Sequence, residues 1–398
     1  MNIYKLIFQI LFFIKIICEL NDESSNTLLG DYNFDIFKYS SELNNDTLII
    51  YEIVDFALNN LIGKNVKNQI VNKKKLYNFL LTLAQNYNLN SFPEINPYHN
   101  LFHAADVVHT LYIYLSKSKQ NNPILFEDTY IKENTELEFI SNIKYNDLDI
   151  FSLIIAAACH DFKHTARDNN FYLNYYDKVS FAKILKEYEY KLELYHFAEA
   201  KKLIEEFDLL EYLNNYEKER FYKIMKLSIY ATDNSFNKNH AENMIHYKDI
   251  MKLNSYISSK EIININISLY ENYQFKDNYP NLTIDDIKII MYECLLHAAD
   301  ISYPTKNRDI FITWSLRYQL EFCEQSKEIH SIDETQEINC PENDTKITTK
   351  SKSDNPFFKN VIEVFFFPFC EVFGNLNYIC NNYQKIKKFV EGTDENDN

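Results

Sequence analysis

Glycine and proline are both scarce in this chain of 398 residues, which contains only 4 Gly and 8 Pro. Sheet proteins turn often and use these residues in their turns, so the scarcity argues against a β-sandwich or a β-barrel. No GxGxxG or GxxxxGK[ST] sequence occurs, which excludes the usual glycine-rich phosphate loops. The 7 cysteines are scattered and never form CxxC, so we expect reduced thiols, typical of a cytoplasmic protein, rather than a disulfide framework or a thiolate zinc site.

Positive charge is also in deficit, and the formal net charge is −16. Such a chain repels the phosphates of nucleic acids, which argues against general nucleic-acid binding. A small anionic substrate is still compatible with this charge, because a bound metal ion reverses the local field. Hydrophobic residues make up 46% of the chain, which is enough for a large core.

Helical periodicity dominates the chain. Leu76, Phe79, Leu80 and Leu83 follow the i, i+3, i+4, i+7 pattern of a helix with one apolar face. Residues 151–159 are almost all apolar, which predicts a helix buried on every side. Further helices are expected after a capping sequence at Thr283 and Asp286, and over Asp309–Gln325. The sequence therefore predicts an all-α fold with a single large multi-helix domain.

Polar stretches indicate where the helices are interrupted. Residues 117–149 and 326–355 are predicted to be largely surface loops, and the acidic tail 391–398 is predicted to be disordered. Residues 29–390 would form the single domain. Residues 1–18 are apolar but are interrupted by Gln9 and Lys15, and they are short for a membrane span. A signal peptide, a membrane anchor and a packed helix all stay open for them, so we expect a cytoplasmic protein with membrane association through 1–18 left open.

Histidine and aspartate gather in three segments with apolar flanks, which read HxxxHxxD, HDxxH and HxxD. In the first segment, a spacing of four would put His99 and His103 on one face of a helix. Buried carboxylates need partners or a metal ion. Imidazoles with carboxylates suit zinc or iron, whereas carboxylates with water suit magnesium or manganese. Two neighbouring metal ions would suit displacement at phosphorus.

Together the segments resemble the signature of the class I cyclic-nucleotide phosphodiesterases, whose all-helical catalytic domain of the HD type hydrolyses 3′,5′-cyclic nucleotides. The motif YHNxxHAxDV matches residues 98–107, HDxxHxxxxNxF matches residues 160–171, and HxADxSxPxK matches residues 297–306. Shorter similarities flank them: GDYNFDIF resembles the start of the family's domain, LELYH resembles its LENHH segment, and YATD resembles its ATD segment. The resemblance covers about residues 29–390.

The resemblance implies two divalent metal ions, zinc in a tight site and magnesium or manganese in a second site bridged by Asp161. The implied ligands of the tight metal are His103, His160, Asp161 and Asp300. The implied residues that hold the waters of the second metal are His164, Glu193 and Thr232. The resemblance also implies that His99 is the general acid, because the leaving alkoxide needs a proton. The remaining histidines, His109, His196, His240, His246 and His330, are interpreted as structural or surface residues.

The residues expected to contact the nucleotide depart from the family pattern. The resemblance assigns Tyr98, Tyr303, Phe358 and Val361 to substrate binding, but Tyr303 replaces the usual Asn and Phe358 replaces the purine-binding Gln. Val361 replaces the aromatic clamp. In the metal segments, Lys163 replaces an Asp, and Thr165-Ala166 replaces Pro-Gly. The loss of amide groups predicts weaker recognition of the base.

Three functions are consistent with these residues. The leading hypothesis is metal-dependent hydrolysis of cAMP, cGMP or both to 5′-monophosphates in cyclic-nucleotide signalling, with the small cyclic nucleotide as the partner. One alternative is a pseudoenzyme or signalling scaffold, which the altered base pocket favours and the complete ligand set disfavours. The other is an HD-type phosphohydrolase that acts on another phosphorylated substrate. The sequence gives no indication of the oligomeric state.

Overall fold

The computed structural model describes residues 28–43, 45–87, 96–121, 146–244, 284–340, 358–373 and 376–391. Every regular element in these ranges is helical, which confirms the predicted all-α fold. The first seven helices are α1 (Ile36–Glu42), α2 (Ile49–Leu61), α3 (Lys64–Ile70), α4 (Lys73–Asn86), α5 (Leu101–Asn121), α6 (Asp147–Cys159) and α7 (Asn169–Asn174). The next seven are α8 (Ala182–Leu185), α9 (Leu192–Glu206), α10 (Asn215–Tyr230), α11 (Ile284–Asp300), α12 (Arg308–Ile332), α13 (Val364–Val372) and α14 (Asn377–Glu391).

Helix α6 lies at the centre of the domain and packs against α2, α5 and α10, while α11 packs against α5 and α10. All of its residues from Asp149 to Cys159 are buried, which confirms the predicted burial of 151–159. Burying one large aliphatic or aromatic side chain stabilises a fold by about 1.5–3 kcal/mol, so this helix is a major source of stability. The carboxylate of Asp149 is satisfied by Arg220 Nη2 at 2.7 Å and the Tyr292 hydroxyl at 2.8 Å.

Side-chain caps determine where three helices near the candidate site begin. Asn146 accepts a hydrogen bond from Asp149 N at the start of α6, and Asp168 accepts one from Phe171 N at the start of α7. Asn307 does the same for α12. Each such cap contributes about 1 kcal/mol. The caps fix the phase of the helices and thereby the direction of the side chains that follow.

Residues 28–34 are an integral part of the helical domain. Tyr32 is buried, and its backbone carbonyl accepts a hydrogen bond from Lys306 Nζ at 3.1 Å. The carbonyl of Leu29 accepts another from His109 Nε2 at 3.0 Å. The apolar segment 1–18 and the tail beyond Glu391 lie outside the described residues. Of the helices that are described, none has both the length and the apolar character needed to cross a bilayer.

The C-terminal half of α12 corrects one prediction. The helix continues to Ile332, so residues 326–332 are helical although they were predicted to belong to a loop. The chain then folds back along the helix, where Asn339 N donates to Ser326 Oγ at 2.6 Å. The polar spacing that suggested a loop here belongs instead to a partly exposed helix. Residues 341–355 of the predicted loop, and the predicted cap at Thr283, lie outside the described residues.

The prediction of reduced thiols is wrong for four cysteines, because the structure contains the disulfides Cys323–Cys340 and Cys370–Cys380. Their Cα atoms are 4.6 and 6.1 Å apart, respectively. Both separations fall within the range of disulfides in general. Cys159 and Cys294 are buried free thiols, as expected. Sequence spacing could not reveal the pairs, since only the fold brings the partners together.

Reduction of the Cys323–Cys340 bond is expected to destabilise the protein. The bond joins residues 17 positions apart. A loop of this length gives a loss of about 3 kcal/mol in the free energy of unfolding. Denaturant unfolding of the wild type and of Cys323→Ser, each with and without dithiothreitol, measures the effect. Cys294→Ala is the matched control, and its unfolding midpoint should retain the full response to the reductant. An unchanged midpoint in reduced wild-type protein would contradict the disulfide.

Candidate metal centre

Four predicted ligands converge where three helices end or begin. His103 lies in the first turn of α5, His160 and Asp161 follow the end of α6, and Asp300 is the last residue of α11. All four side chains are buried or nearly so. One donor atom from each residue lies within 4.8 Å of the donor atoms of the other three. The fold thus brings together residues that are almost 200 positions apart and belong to three separate sequence segments.

The distances between these donor atoms fit a divalent metal ion. The Nε2 atoms of His103 and His160 are 3.3 Å apart. Asp300 Oδ1 lies 2.9 Å from His103 Nε2 and 3.3 Å from His160 Nε2. Asp161 Oδ2 lies 3.5 and 3.2 Å from the same two nitrogens. Two ligands about 2.1 Å from one ion and about 90–109° apart are separated by about 3.0–3.4 Å, so the donor set suits zinc or a similar cation.

Opposite charges within the cluster shift the pKa values of its imidazoles and carboxylates. Burial alone would raise the pKa of Asp300, but the neighbouring His160 and His103 hold it well below its usual value. Burial alone would lower the pKa of His160, but Asp161 and Asp300 raise it well above 6.5. Both shifts favour the form of the cluster in which an imidazolium faces the carboxylates. A metal ion at these donors would compete with protons, so its affinity is expected to fall as the pH falls.

His99 lies beside this cluster but not on the helix that was predicted to carry it. Residues 97–100 form bends, and α5 begins only at Leu101, so the helical pairing of His99 with His103 is corrected. The two rings nevertheless lie 5.7 Å apart, and the His99 ring stacks on that of His164 at 4.1 Å. The preceding Pro97 cannot donate a backbone hydrogen bond, which is consistent with a helix that begins later.

Glu321 of α12, a residue that the sequence did not indicate, fixes His99 in place. Its Oε1 contacts His99 Nδ1. Its Oε2 accepts the backbone N–H groups of Tyr98 at 2.9 Å and His99 at 3.0 Å. Burial alone would lower the pKa of His99, but the Glu321 and Asp161 carboxylates raise it to about 9. His99 therefore carries a proton at neutral pH, while its own charge helps to lower the pKa of Glu321 to about 2.

Glu321→Gln should lower the pKa of His99. Glutamine keeps most of the shape and hydrogen bonding of glutamate but removes the charge that favours the imidazolium. The pKa is measured by NMR titration of protein labelled at the histidine rings. Glu328→Gln is the matched control, because Glu328 lies on the same helix and pairs with Arg167 instead. A pKa that is the same in Glu321→Gln as in the control would contradict the assignment.

The same face of α12 also holds the loop that carries two of the ligands. Gln325 Oε1 accepts Asp168 N at 2.8 Å, and Glu328 Oε2 lies 2.6 Å from the Arg167 guanidinium. The loop contains two residues with positive φ, Lys163 at 63° and Ala166 at 59°. This left-handed conformation costs a residue with a Cβ about 1–2 kcal/mol, which accounts for the Gly that the family resemblance places at residue 166. The contacts to α12 help to offset this cost.

The three residues predicted to hold waters come from three separate parts of the chain: the loop after α6, helix α9 and the turn after α10. His164 lies in the same loop as Asp161, and its Nδ1 accepts the N–H of Ala166 at 3.0 Å. Glu193 binds the Asn169 amide at 3.0 Å, and burial raises the pKa of its carboxyl to about 7. Thr232 lies in the turn after α10, and its hydroxyl donates to the carbonyl of Ile229 in that helix.

Of the residues predicted to bind the substrate, Tyr98 and Tyr303 are buried aromatic neighbours with ring centres 6.1 Å apart. Tyr98 also packs on His103 at 4.7 Å, so it supports a metal ligand. Tyr303 stacks on Phe311, and its hydroxyl pairs with Ser315. Val361 is partly buried, and its carbonyl accepts Asn237 Nδ2 at 3.0 Å. The backbone of Phe358 begins a π-helical turn, Phe358–Glu363, but its side chain lies outside the described residues.

Other residues of the matched motifs are structural. His297 does not join the four-residue cluster, and its Nε2 lies 3.2 Å from Asn237 Oδ1. Lys306 is fully buried, 3.5 Å from Asp106 and 2.7 Å from the Thr110 hydroxyl. This buried pair joins α5 to the turn after Asp300. It therefore fixes two of the elements that deliver ligands.

Comparisons with known proteins agree with this geometry. The "Probable 3′,5′-cyclic-AMP phosphodiesterase pde-4" of Caenorhabditis elegans is 26% identical over 300 residues, covering 75% of this chain and 36% of that protein. The "Dual specificity calcium/calmodulin-dependent 3′,5′-cyclic nucleotide phosphodiesterase 1C" of Mus musculus is 28% identical over 274 residues, covering 67% of this chain and 30% of that protein. The chain thus spans about a third of the length of these relatives.

A solved structure shares the fold. The phosphodiesterase domain of the rhodopsin phosphodiesterase of Salpingoeca rosetta superimposes with a TM-score of 0.64 at 20% identity, covering 92% of this chain and 91% of that chain. The family model described as 3′5′-cyclic nucleotide phosphodiesterase matches residues 98–383, which include the four clustered residues. The chain therefore belongs to the 3′5′-cyclic nucleotide phosphodiesterase family.

Proposed function

We propose that the chain hydrolyses 3′,5′-cyclic nucleotides, cAMP and/or cGMP, to 5′-monophosphates with the help of two divalent cations. The observation that carries the proposal is the buried cluster of His103, His160, Asp161 and Asp300, with a protonated His99 beside it. We assign residues 29–390 to the catalytic domain, since Leu29 is buried in its core and α14 ends at Glu391.

The cluster would hold the tighter cation, and its two imidazoles favour zinc there. Asp161 would also face a second cation, for which the oxygen-rich surroundings of a hydrated site favour magnesium or manganese. His164, Glu193 and Thr232 would hold the waters of that cation. When bound, the cations neutralise the phosphate charge and lower the pKa of water, so that an attacking nucleophile is available at neutral pH.

His99 would donate a proton to the ribose O3′ as its bond to phosphorus breaks, while the ribose stays bonded to phosphorus through O5′. A departing alkoxide is a poor leaving group at neutral pH, so a positioned acid accelerates its departure. Glu321 keeps the proton on His99 through its charge and fixes the ring through Nδ1, which leaves Nε2 to face the substrate. The backbone N–H bonds to Glu321 Oε2 hold the segment that carries His99 at the same time.

Hydrolysis of both nucleotides by purified protein with Mg²⁺ or Mn²⁺ tests the proposed function. The expected product is the 5′-monophosphate, and in ¹⁸O-labelled water it should carry one labelled oxygen on phosphorus. Product analysis by chromatography and mass spectrometry measures both. A folded, metal-loaded protein that hydrolyses neither nucleotide would overturn the proposal in favour of a pseudoenzyme or scaffold. Turnover restricted to other phosphorylated compounds would instead favour a different phosphohydrolase.

Discrimination between adenine and guanine is expected to be poor, with kcat/KM values within about tenfold of each other. A polar site that reads a base edge discriminates by orders of magnitude, and Tyr303 cannot replace the two-way hydrogen bond of an amide. Its hydroxyl is already paired with Ser315. Steady-state kinetics on cAMP and cGMP measure the ratio, with Tyr303→Phe as the control for the hydroxyl. A low KM combined with strong preference for one nucleotide would contradict this prediction.

A further inference from the structure

The two carboxylate oxygens of Asp161 face different groups. Oδ2 points toward the four-ligand cluster and lies 3.2 Å from His160 Nε2. Oδ1 lies 4.0 Å from the Nε2 of His196 in α9. Asp161, His164 and His196 form a second group of buried residues whose donor atoms lie within 4.8 Å of one another. From the sequence, His196 is interpreted as a structural or surface residue, and it has no role in the proposed function.

A backbone contact fixes the tautomer of His196. Its Nδ1 lies 2.7 Å from the carbonyl oxygen of Phe162. A carbonyl can only accept, so the proton of a neutral ring must lie on Nδ1, and Nε2 carries a lone pair. This Nε2 is buried, and no hydrogen-bond partner for it lies among the residues that the structure describes. Leaving a buried acceptor unsatisfied is costly, so a partner that completes this site is expected in the functional protein.

The atom that faces this lone pair is also an acceptor. Asp161 Oδ1 and His196 Nε2 therefore repel one another unless a cation or a donor stands with them. His164 has the opposite tautomer, because its Nδ1 accepts the N–H of Ala166 and its proton must lie on Nε2. The two imidazoles, with ring centres 5.5 Å apart, thus supply one donor and one acceptor beside the same carboxylate. Such a pair can orient a water molecule in a single direction.

We propose that His196 is a positioning residue for the second cation, and that its Nε2 accepts a hydrogen bond from a water that hydrates a cation held by Asp161 Oδ1. The proposal rests on the proposed function for the presence of that cation. It assigns to His196 the acceptor role in the hydration shell and to the Phe162 carbonyl the task of holding the proton of the neutral ring on Nδ1. Partners of this kind typically change metal affinity by about 10–100-fold.

Two substitutions separate this role from a structural one. In His196→Asn, the side-chain amide can still donate to the Phe162 carbonyl but cannot reach as far as Nε2. In His196→Gln, the amide reaches the position of Nε2, and its oxygen can accept a hydrogen bond there. Mn²⁺ alone is the probe, added to protein whose tight site is already filled with zinc, and its binding is followed by electron paramagnetic resonance. His240→Gln is the control, because His240 is also buried and its Nε2 donates to a backbone carbonyl, that of Ala231.

The expected result is a Kd for Mn²⁺ that rises about 10–100-fold in His196→Asn, rises much less in His196→Gln, and is unchanged in His240→Gln. The thermal midpoint of the metal-free protein shows that each variant is folded. The proposal is overturned if His196→Asn binds Mn²⁺ as the wild type does, or if only His196→Gln is impaired, since the bond to Phe162 would then be what matters. Because Mn²⁺ binding needs no turnover, a failure of the proposed hydrolysis would be distinguishable from a failure of this inference.

Discussion

Replacing His160 and Asp300 together by alanine is expected to abolish the tight metal site and to lower turnover by at least about 10⁴-fold. The two residues supply two of the four clustered donors. The remaining His103 and Asp161 are too few to bind zinc tightly, because tight zinc sites have three or four protein ligands. The cations supply several kcal/mol of charge stabilisation in the transition state, and about 1.4 kcal/mol corresponds to a factor of ten. No other effect predicted for this protein is as large.

Elemental analysis of the purified protein measures the metal directly. The wild type should contain zinc or another transition metal in nearly stoichiometric amount, and the double variant should contain almost none. His240→Ala is the control, because His240 is a buried histidine outside the clustered donor groups. Metal content that stays the same in the double variant would show that these residues are not the ligands, whatever happens to the activity.

His99→Ala should keep both metals and lose about 10²–10⁴-fold in turnover of a cyclic nucleotide, the usual contribution of a positioned proton donor. His99 is not one of the four clustered donors, so its removal leaves them intact. A nitrophenyl phosphodiester releases a group that leaves without a proton, so the variant should lose much less activity on that substrate. The comparison of the two substrates, with metal content determined in parallel, measures proton donation itself.

A purely structural role for His99 makes a different prediction. The ring stacks on His164 and packs near His103, so its loss could disturb the site as a whole. In that case both substrates would slow alike, or metal would be lost with the side chain. Either result would remove His99 from the mechanism and leave Glu321 as a residue that only fixes the segment before α5.

The family resemblance was sufficient to predict the four clustered residues, because its motifs assign them by position in three short segments. The cost of a buried carboxylate without a partner indicates a metal ion or a charged partner near such segments, but it does not by itself select Asp161 and Asp300. The helical fold was predictable, since the period of α6 and the scarcity of glycine are both local properties.

Properties that depend on distant contacts were not predictable. Glu321 lies more than 200 positions from His99, so the sequence gives no sign of their contact. The one local indication that Glu321 is unusual is its position on the same helical face as Trp314 and Tyr318, where an apolar residue would be expected. The prediction that His99 lies on a helix was wrong because spacing alone cannot show where a helix begins. The role of His196 was missed because it depends on a lone pair, whose direction is set by the backbone of another segment.

The length of α12 between Glu321 and Glu328 is constrained by what this face holds. Glu321 binds the segment before α5, while Gln325 and Glu328 bind the loop after α6. One inserted residue would turn everything beyond it by about 100°, since a helix has about 3.6 residues per turn. Gln325 and Glu328 would then face away from the loop, although His99 would still be held. A substitution on this face therefore changes one contact at a time, whereas an insertion or deletion would separate the segment that carries His99 from the loop that carries His160 and Asp161 in a single step.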